Sequence, residues 1–239
     1  MLHEGGADIN QTSPAGIGPL YLAIKAGQLE CVRYLIDEGA ELYYSDPIRV
    51  DYSPVFIAVK MEQIPSIELM CDIGAKLDKF VDSQGYSPIM FAVKFGLHEV
   101  VNYLSLRGCD LNQEDPANRT ILMYYLLHTD EMMAEKPTAV LKLLDMARKL
   151  ISRGADVNRT SHTSSYGQTL LIQALKKNKV QAIEFLLDQG ADPHIEDLAG
   201  LDACDHAKKY GLAGNYQELQ QCDDPGRRKR CLTHGKHSG

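Results

Sequence analysis

The sequence contains no long hydrophobic run. No apolar stretch approaches the roughly 20 residues that a membrane-crossing helix needs, so we expect no membrane span. The first residues, MLHEGGAD, have neither the basic start nor the apolar core of a signal peptide. We therefore expect a cytoplasmic protein whose six cysteines are reduced.

Positive charge is in the minority. The chain has 25 lysines and arginines against 32 aspartates and glutamates, which gives a net charge of −7. A surface with this balance is poorly suited to nucleic acid, so we expect no nucleic-acid partner. One basic run could act as a nuclear import address or could simply be a solvated tail. It consists of Arg227, Arg228, Lys229 and Arg230.

Catalytic motifs are also missing: the chain has no phosphate loop, no G-x-S-x-G and no dinucleotide fingerprint. His98 and Glu99 open like a zinc-protease motif, but Asn102 stands where the second histidine is required. The tail holds four potential zinc ligands: Cys222, Cys231, His234 and His237. Their spacing fits no strong zinc-finger pattern. The prediction is a protein that is not an enzyme and that uses no cofactor and no metal.

The sequence does contain one short segment that recurs several times. SRGADVN at 152–158 returns as DQGADPH at 188–194, and four looser copies precede them. The shared glycines are Gly6, Gly39, Gly74, Gly108, Gly154 and Gly190. They lie 33, 35, 34, 46 and 36 residues apart, and a period in the thirties is typical of a repeat protein.

The clearest copy, residues 85–112, predicts two short helices and a turn. Ser87 can cap the first helix with its hydroxyl, and Pro88 suits the first helical position because it has no N–H to leave unpaired. Gly96 ends that helix, and Gly108 ends a second one. Such a helix pair is too small to bury its own apolar face, so neighbouring copies must stack.

A small residue recurs four positions after each helix start. The residues at this position are Ala23, Ala58, Ala92, Tyr125, Ala174 and Ala207. Alanine there lets the first helices of neighbouring repeats approach closely.

The pattern resembles the ankyrin repeat. The opening Thr-Pro-Leu-His-x-Ala of that family corresponds to GPLYLA at 18–23, SPVFIA at 53–58 and SPIMFA at 87–92, and its closing Gly-Ala-Asp-x-Asn to the glycine turns. The resemblance covers about residues 2–220 and implies an all-α ankyrin-repeat solenoid of stacked antiparallel helix pairs with β-turn fingers. It also implies that partners bind on the concave face, which the first helices and the fingers line.

Two repeats depart from the pattern. The second has Glu62 where its neighbours have Gly27 and Gly96, so we expect a different turn between its helices, although Pro65 could simply start the second helix. In the fourth repeat, Tyr125 replaces the small residue and an insertion occupies about 128–140. This insertion predicts an overlong second helix from Pro137 and a protruding connector that either binds a partner or is a tolerated surface loop.

We therefore divide the chain into a repeat array at 1–222, which closes with a unit at 200–222, and a flexible basic tail at 223–239. The array begins inside a repeat, so we expect missing sequence or another subunit to cover its amino-terminal edge.

If the repeats stack, three columns of residues align on the concave face. The predicted partner-binding residues are Lys25, Tyr52, Lys60, Met61, Tyr86, Lys94, Phe95, Arg119, Lys176, Lys209 and Tyr210. Lysines would steer and register an acidic segment, and aromatic side chains would provide contact area. The simpler interpretation is that each lysine only stabilises the end of a short helix.

The predicted function is a non-enzymatic adaptor or scaffold that binds a protein, and the partner hypothesis is an acidic segment with apolar anchors. The alternatives are a structural component of a large assembly and a regulatory ankyrin segment of a larger signalling protein. An anionic headgroup or nucleic acid on the lysines is the least favoured because of the net acidity.

Overall fold

The computed structural model describes residues 8–45, 50–127, 137–160 and 167–220. Within these ranges the chain is helical, with no strand beyond a β-bridge between Thr160 and Thr169. Contacts between Cα atoms divide it into two compact units, 1–116 and 117–239. The boundary directly precedes the repeat that departs most from the sequence pattern.

The first unit contains three helix pairs. They are α1 (Pro19–Lys25) with α2 (Leu29–Asp37), α3 (Pro54–Lys60) with α4 (Ile64–Asp72), and α5 (Pro88–Lys94) with α6 (His98–Leu106). Short 3-10 helices at Val50–Tyr52 and Leu77–Lys79 lie between the pairs. Helix α3 packs against both α1 and α5, and α2 packs against α4, so each pair buries the apolar face of its neighbour.

The second unit repeats this arrangement. Its helices are α7 (Ile121–Leu127), α8 (Pro137–Ser152), α9 (Leu170–Lys176), α10 (Val180–Asp188), α11 (Ala203–Lys209) and α12 (Gln217–Gln220), with a 3-10 helix at Ala213–Asn215. Helix α9 packs against α7 and α11, as α3 packs against α1 and α5. The predicted solenoid of antiparallel helix pairs is confirmed.

Four of the five alanines in the column pack as predicted: Ala58, Ala92, Ala174 and Ala207 are 0% exposed, each on a first helix. Ala23 on α1 is only half-buried. In the fourth repeat the Tyr125 ring occupies this position and is also buried. The overlong helix that begins at Pro137 is confirmed, whereas residues 128–136 of the insertion, with Met132 and Met133, lie outside the described residues.

Each shared glycine among the described residues lies two residues after the end of a second helix. Five of the shared glycines have φ between +78° and +106°, a region that favours glycine: Gly39, Gly74, Gly108, Gly154 and Gly190. Two residues after Gly108, an aspartate closes the turn: Asp110 Oδ1 accepts from the Asn112 N–H at 2.9 Å.

An asparagine then joins one turn to the next. Asn10 Oδ1 accepts from the Glu41 N–H at 2.8 Å, and Asn158 Oδ1 accepts from the Asp192 N–H at 2.8 Å. These bonds link consecutive repeats within each unit.

The prediction of a different turn in the second repeat is wrong. Glu62 adopts φ +52°, close to +68° at Gly27 and +69° at Gly96. The Gln63 N–H donates to the Ala58 carbonyl at 2.9 Å, and the Leu97 N–H donates to Ala92 in the same way. The same hydrogen bonds close the turn in both repeats, so a non-glycine residue takes the left-handed conformation here. Pro65 lies in the first turn of α4, as the alternative had it.

The predicted serine cap, that of Ser87, is also wrong. The buried Ser53 hydroxyl accepts from the Tyr44 N–H at 2.7 Å instead of from its own helix. Ser87 Oγ is buried and caps nothing among the described residues. Side-chain caps do occur in the second unit, where Thr169 accepts from the Ile172 N–H and Asp202 accepts from the Asp205 N–H.

Candidate binding groove

The lysine column lies at the carboxyl ends of the first helices. Lys25, Lys60, Lys94, Lys176 and Lys209 are the last residues of α1, α3, α5, α9 and α11, and all are exposed. The corresponding residue of the fourth repeat, Leu127, is buried. A cation at this position interacts favourably with the helix dipole, which accounts for part of the pattern.

The residues that follow the lysines present apolar surface. Met61, Phe95 and Tyr210 are 45%, 57% and 40% exposed. Exposed apolar side chains clustered on one face are typical of interaction sites. Met61 and Phe95 belong to the first unit and Tyr210 to the second.

The third predicted column is not uniformly exposed. Tyr52 is 38% exposed, but Tyr86 is only 8% exposed, and Lys94 Nζ lies 4.0 Å from the centroid of its ring. Arg119 is half-buried with its guanidinium 4.6 Å from the Tyr124 ring centroid. Tyr86 therefore belongs to the packed interior and not to the exposed surface that the sequence suggested.

A cavity of about 560 Å³ opens in the first unit and brings together three predicted residues, Tyr52, Lys60 and Phe95. Its other lining residues are Tyr21, Asp51, Phe56, Ile57, Asp82, Ser83, Gln84, Phe91 and Leu97. The volume is within the ~300–1,000 Å³ range of ligand pockets, and aromatic lining is characteristic of them. We call this cavity, together with the adjacent Met61, the groove.

Aromatic side chains that the sequence analysis did not select build its walls. The Tyr21 and Tyr52 rings meet edge-on with centroids 6.0 Å apart. The Phe91 ring lies 5.9 Å from Phe56 and 4.5 Å from Phe95. Tyr21, Phe56 and Phe91 stand two or three positions after a helix-starting proline, and that recurrence of rings was the signal available in the sequence.

The charged residues that line the cavity are Asp51, Asp82 and Lys60. Both oxygens of Asp51 accept from Ser83, from its N–H at 2.9 Å and its hydroxyl at 2.6 Å. Asp82 Oδ1 accepts from the N–H groups of Gln84 and Tyr86 at 2.9 and 2.8 Å. These two carboxylates hold the turns in place. Among the described residues that line the cavity, Lys60 is the one cation.

In the second unit the exposed Lys176 is joined to a buried polar network. Lys176 Nζ donates to Gln168 Oε1 at 3.1 Å, and Gln168 Nε2 donates to Asp197 Oδ2 at 3.3 Å. His206 Nε2 lies 2.9 Å from the same carboxylate oxygen. Burial acts to raise the pKa of Asp197, but hydrogen bonds, chiefly with His206, outweigh it and lower the pKa to about 2.

A possible metal cluster in this unit lacks a free thiolate. His194, Asp202 and Cys204 offer ligand atoms within 4.8 Å of one another. The Cys204 sulfur is part of a disulfide, so it does not ligate as a thiolate. This disulfide contradicts the expectation of fully reduced cysteines, which holds for Cys31, Cys71 and Cys109. The tail residues considered as zinc ligands, and the basic run 227–230, lie outside the described residues.

A second cavity of the first unit, about 520 Å³ in volume, contains two thiols, Cys71 and Cys109. Burial raises the pKa of both, that of Cys109 to about 12. At neutral pH they are protonated and therefore poor nucleophiles.

Among the residues that the structure describes, no helix combines the length and the apolar character that crossing a bilayer requires.

Comparison with known families gives one matching family model, described as ankyrin repeats (3 copies), at residues 1–80, 45–115 and 89–197. A putative ankyrin repeat-containing protein of Treponema pallidum is 31% identical over 130 residues, which are 54% of this chain and 38% of that protein. An L-asparaginase of Dirofilaria immitis is 26% identical over 152 residues, 55% of this chain and 25% of the enzyme. The chain thus spans well under half the length of these curated relatives.

Solved structures share the fold at low identity. The ankyrin repeat domain of Bcl-3, a member of the IκB family, superposes with a TM-score of 0.68 at 20% identity, covering 86% of this chain and 84% of that one. A chain from the complex of a Bdellovibrio bacteriovorus predatory endopeptidase with an immunity protein gives 0.55 at 19% identity, covering 89% and 100%.

Proposed function

Because the chain belongs to the ankyrin-repeat family, whose repeats are protein–protein interaction modules, we propose that it is a non-enzymatic adaptor or scaffold that binds a protein on its concave face. The observation that carries the proposal is the groove of the first unit. There, Tyr52, Met61 and Phe95 expose 38%, 45% and 57% of their surface next to an aromatic cavity. Aromatic and methionine side chains are enriched where proteins meet.

The lysines define the chemistry of the partner. Lys25 and Lys60 are exposed, and neither makes a hydrogen bond or ion pair with the described residues of the chain. Their charge is therefore available to a ligand, in contrast to that of Lys176 in the second unit. We accordingly propose an extended acidic segment with apolar anchors as the partner.

The relatives support a binding role more than a catalytic one. One of the similar structures comes from a complex in which an immunity protein meets an endopeptidase. The asparaginase match covers only 25% of that enzyme at 26% identity, so it does not support a catalytic role for this chain.

The test replaces the exposed apolar side chains of the groove by serine: Tyr52→Ser, Met61→Ser and Phe95→Ser in one variant. Proteins recovered with the tagged wild type and with the variant are compared by quantitative mass spectrometry. We expect a partner that the wild type retains and the variant loses, because truncating central anchors of an interface removes most of its binding energy.

A matched control carries three serines at exposed apolar positions of the same unit outside the groove: Tyr34→Ser, Ile73→Ser and Leu106→Ser. These residues are 44%, 55% and 63% exposed. The control should retain the partner, and circular dichroism should show both variants folded. Equal recovery by the groove variant and the wild type would refute concave-face binding.

A second candidate is a regulatory ankyrin segment of a larger signalling protein. It is favoured by the relatives, of which the chain spans 38% and 25%. An antibody against residues 85–112 should then detect a native protein well above 26.6 kDa, whereas a band at that mass favours the adaptor.

A further inference from the structure

We propose that Lys60 binds the partner's carboxylate in the first unit and that Lys94 does not. The cavity beside Lys60 receives a large apolar side chain of the same segment. This inference rests on the proposed function and specifies which side chains read the ligand. It treats two lysines at equivalent positions of neighbouring repeats as having different roles.

Lys94 is already engaged within its own repeat. Its Nζ donates to Gln84 Oε1 at 2.8 Å and lies 4.0 Å from the Tyr86 ring centroid. A cation over an aromatic face is attracted by the ring, and moving it toward a ligand would forfeit both contacts. Lys94 therefore acts as a brace that covers Tyr86.

Lys60 is not engaged in contacts of this kind. Among the described residues it makes no hydrogen bond, ion pair or cation–π contact, and it lines the cavity directly. Lys25 is equally unpaired but does not line the cavity. Lys60 is thus the cation whose charge meets whatever fills the groove.

Neither carboxylate that lines the cavity forms an ion pair with Lys60. Asp51 is held by Ser83, and Asp82 by the Gln84 and Tyr86 N–H groups, all within 2.6–2.9 Å. They repel a second carboxylate from the turn side. A ligand carboxylate is therefore directed to the helix side, toward Lys60.

The aromatic wall determines what accompanies the carboxylate. The rings of Phe56, Phe91 and Phe95 succeed one another at centroid distances of 5.9 and 4.5 Å, and Tyr52 meets Tyr21 at 6.0 Å. An aromatic side chain gains both apolar burial and edge-to-face contacts on such a wall. The partner chemistry is therefore an aromatic residue flanked by acidic ones.

The experiment titrates the ¹⁵N-labelled full chain with three capped pentapeptides whose central residues are Glu-Phe-Glu, Glu-Ala-Glu or Lys-Phe-Lys. Dissociation constants come from backbone amide shifts. The variants are Lys60→Glu and the matched Lys94→Glu, which places the same charge change at the end of the next first helix.

We expect Glu-Phe-Glu to bind with shifts centred on the groove, and to bind about tenfold more weakly to Lys60→Glu. Lys94→Glu should weaken it by less than about threefold. Glu-Ala-Glu should not bind, because it lacks the ring. Lys-Phe-Lys should bind Lys60→Glu better than it binds the wild type.

Three results would overturn the inference. The first is the absence of amide shifts with Glu-Phe-Glu, and the second is Lys-Phe-Lys binding to the wild type at least as tightly as to Lys60→Glu. The third is an equal loss of Glu-Phe-Glu affinity in both lysine variants. Thermal unfolding of each variant guards against misfolding. The proposed function is judged separately: a partner lost only from the serine variant of the groove would sustain it even if the peptides failed.

Discussion

Glu62 holds a backbone conformation that residues with side chains rarely adopt. Its φ of +52° costs about 1–2 kcal/mol relative to glycine. We expect Glu62→Gly to raise the free energy of unfolding by about 0.5–1 kcal/mol, since the greater freedom of glycine in the unfolded chain offsets part of the relief. Urea unfolding followed by circular dichroism measures the change.

The control is Gly96→Ala at the equivalent turn. A Cβ at Gly96 would have nothing within 4 Å, so only its φ of +69° would oppose the substitution. This variant should lose about 1 kcal/mol of stability. If both substitutions left the urea midpoint unchanged, strain in the turn could not be the reason that glycine is used there.

Asp197 gives the protein a pH-dependent contribution to stability. Its pKa is lowered to about 2 from an ordinary 3.8, so between these values the unfolded chain binds more protons than the folded one. The contribution is complete above about pH 4 and is lost as the pH falls toward 2. We expect Asp197→Asn to be destabilising at pH 6, and its difference from the wild type to narrow by on the order of 1 kcal/mol at pH 3.

Asp145→Asn is the matched control for this pH effect. A hydrogen bond from Lys149 lowers the pKa of Asp145 as well, but its side chain is 54% exposed. Solvent screens such a pair, so urea unfolding at both pH values should show little change. A pH dependence of equal size in the two variants would argue against the buried network as its source.

Tyr125 and Ala92 occupy the same position of the repeat, although one side chain is large and the other is small. The two side chains occupy equivalent places on α7 and α5, and both are buried. Tyr125→Ala should cost about 3 kcal/mol because it leaves a cavity. Ala92→Tyr should be at least as damaging, because α5 packs closely on α3 and cannot admit a ring.

Thermal unfolding midpoints of the two variants test this reciprocity. Ala207→Ser serves as a small-for-small control at the same position of α11 and should lose much less. A neutral Tyr125→Ala would mean that α7 closes onto its neighbours and that the fourth repeat has no need of the ring.

Local sequence was enough to predict the helices, because prolines and glycines act within a few residues of themselves. Pro54 and Pro88 begin helices and Gly108 ends one, as their backbone chemistry requires. The predicted Ser87 cap does not form, because its Oγ is buried and makes no bond to the helix that follows. At the equivalent position the Ser53 hydroxyl accepts from the Tyr44 N–H, nine residues away, a partner that no helix-start rule contains. The prediction of a different turn at Glu62 was wrong because the residue adopts the left-handed conformation that its side chain disfavours, and the usual hydrogen bonds of the turn form.

The groove was only partly predictable for the same reason. Repeat register located Tyr52, Lys60 and Phe95 at one surface, but it could not reveal that Tyr86 is buried or that Lys94 covers its ring. Those outcomes depend on side-chain rotamers and on the aspartate turn that binds the Tyr86 N–H. The Asp197–His206 contact likewise joins residues that no motif connects.

Among the described residues, the predicted partner-binding residues with exposed apolar side chains are Tyr52, Met61 and Phe95 in the first unit and Tyr210 in the second. In the second unit Leu127 is buried, Lys176 is bound to Gln168, and Tyr210 stands exposed next to Lys209. We expect a Lys209→Ser, Tyr210→Ser variant to retain the partner that the groove variant loses. Quantitative recovery of that partner decides the matter, and equal loss would extend the binding surface into the second unit.

The asparagine bonds between successive turns bear on how the protein can be produced. Asn10 and Asn158 each begin an Asn-x-Thr triplet, the acceptor sequence for N-linked sugars. Each side chain also receives the N–H of the following turn. A glycan added during export would crowd that junction, so secretion from a eukaryotic host should yield heterogeneous and less stable material, whereas bacterial expression leaves both junctions intact.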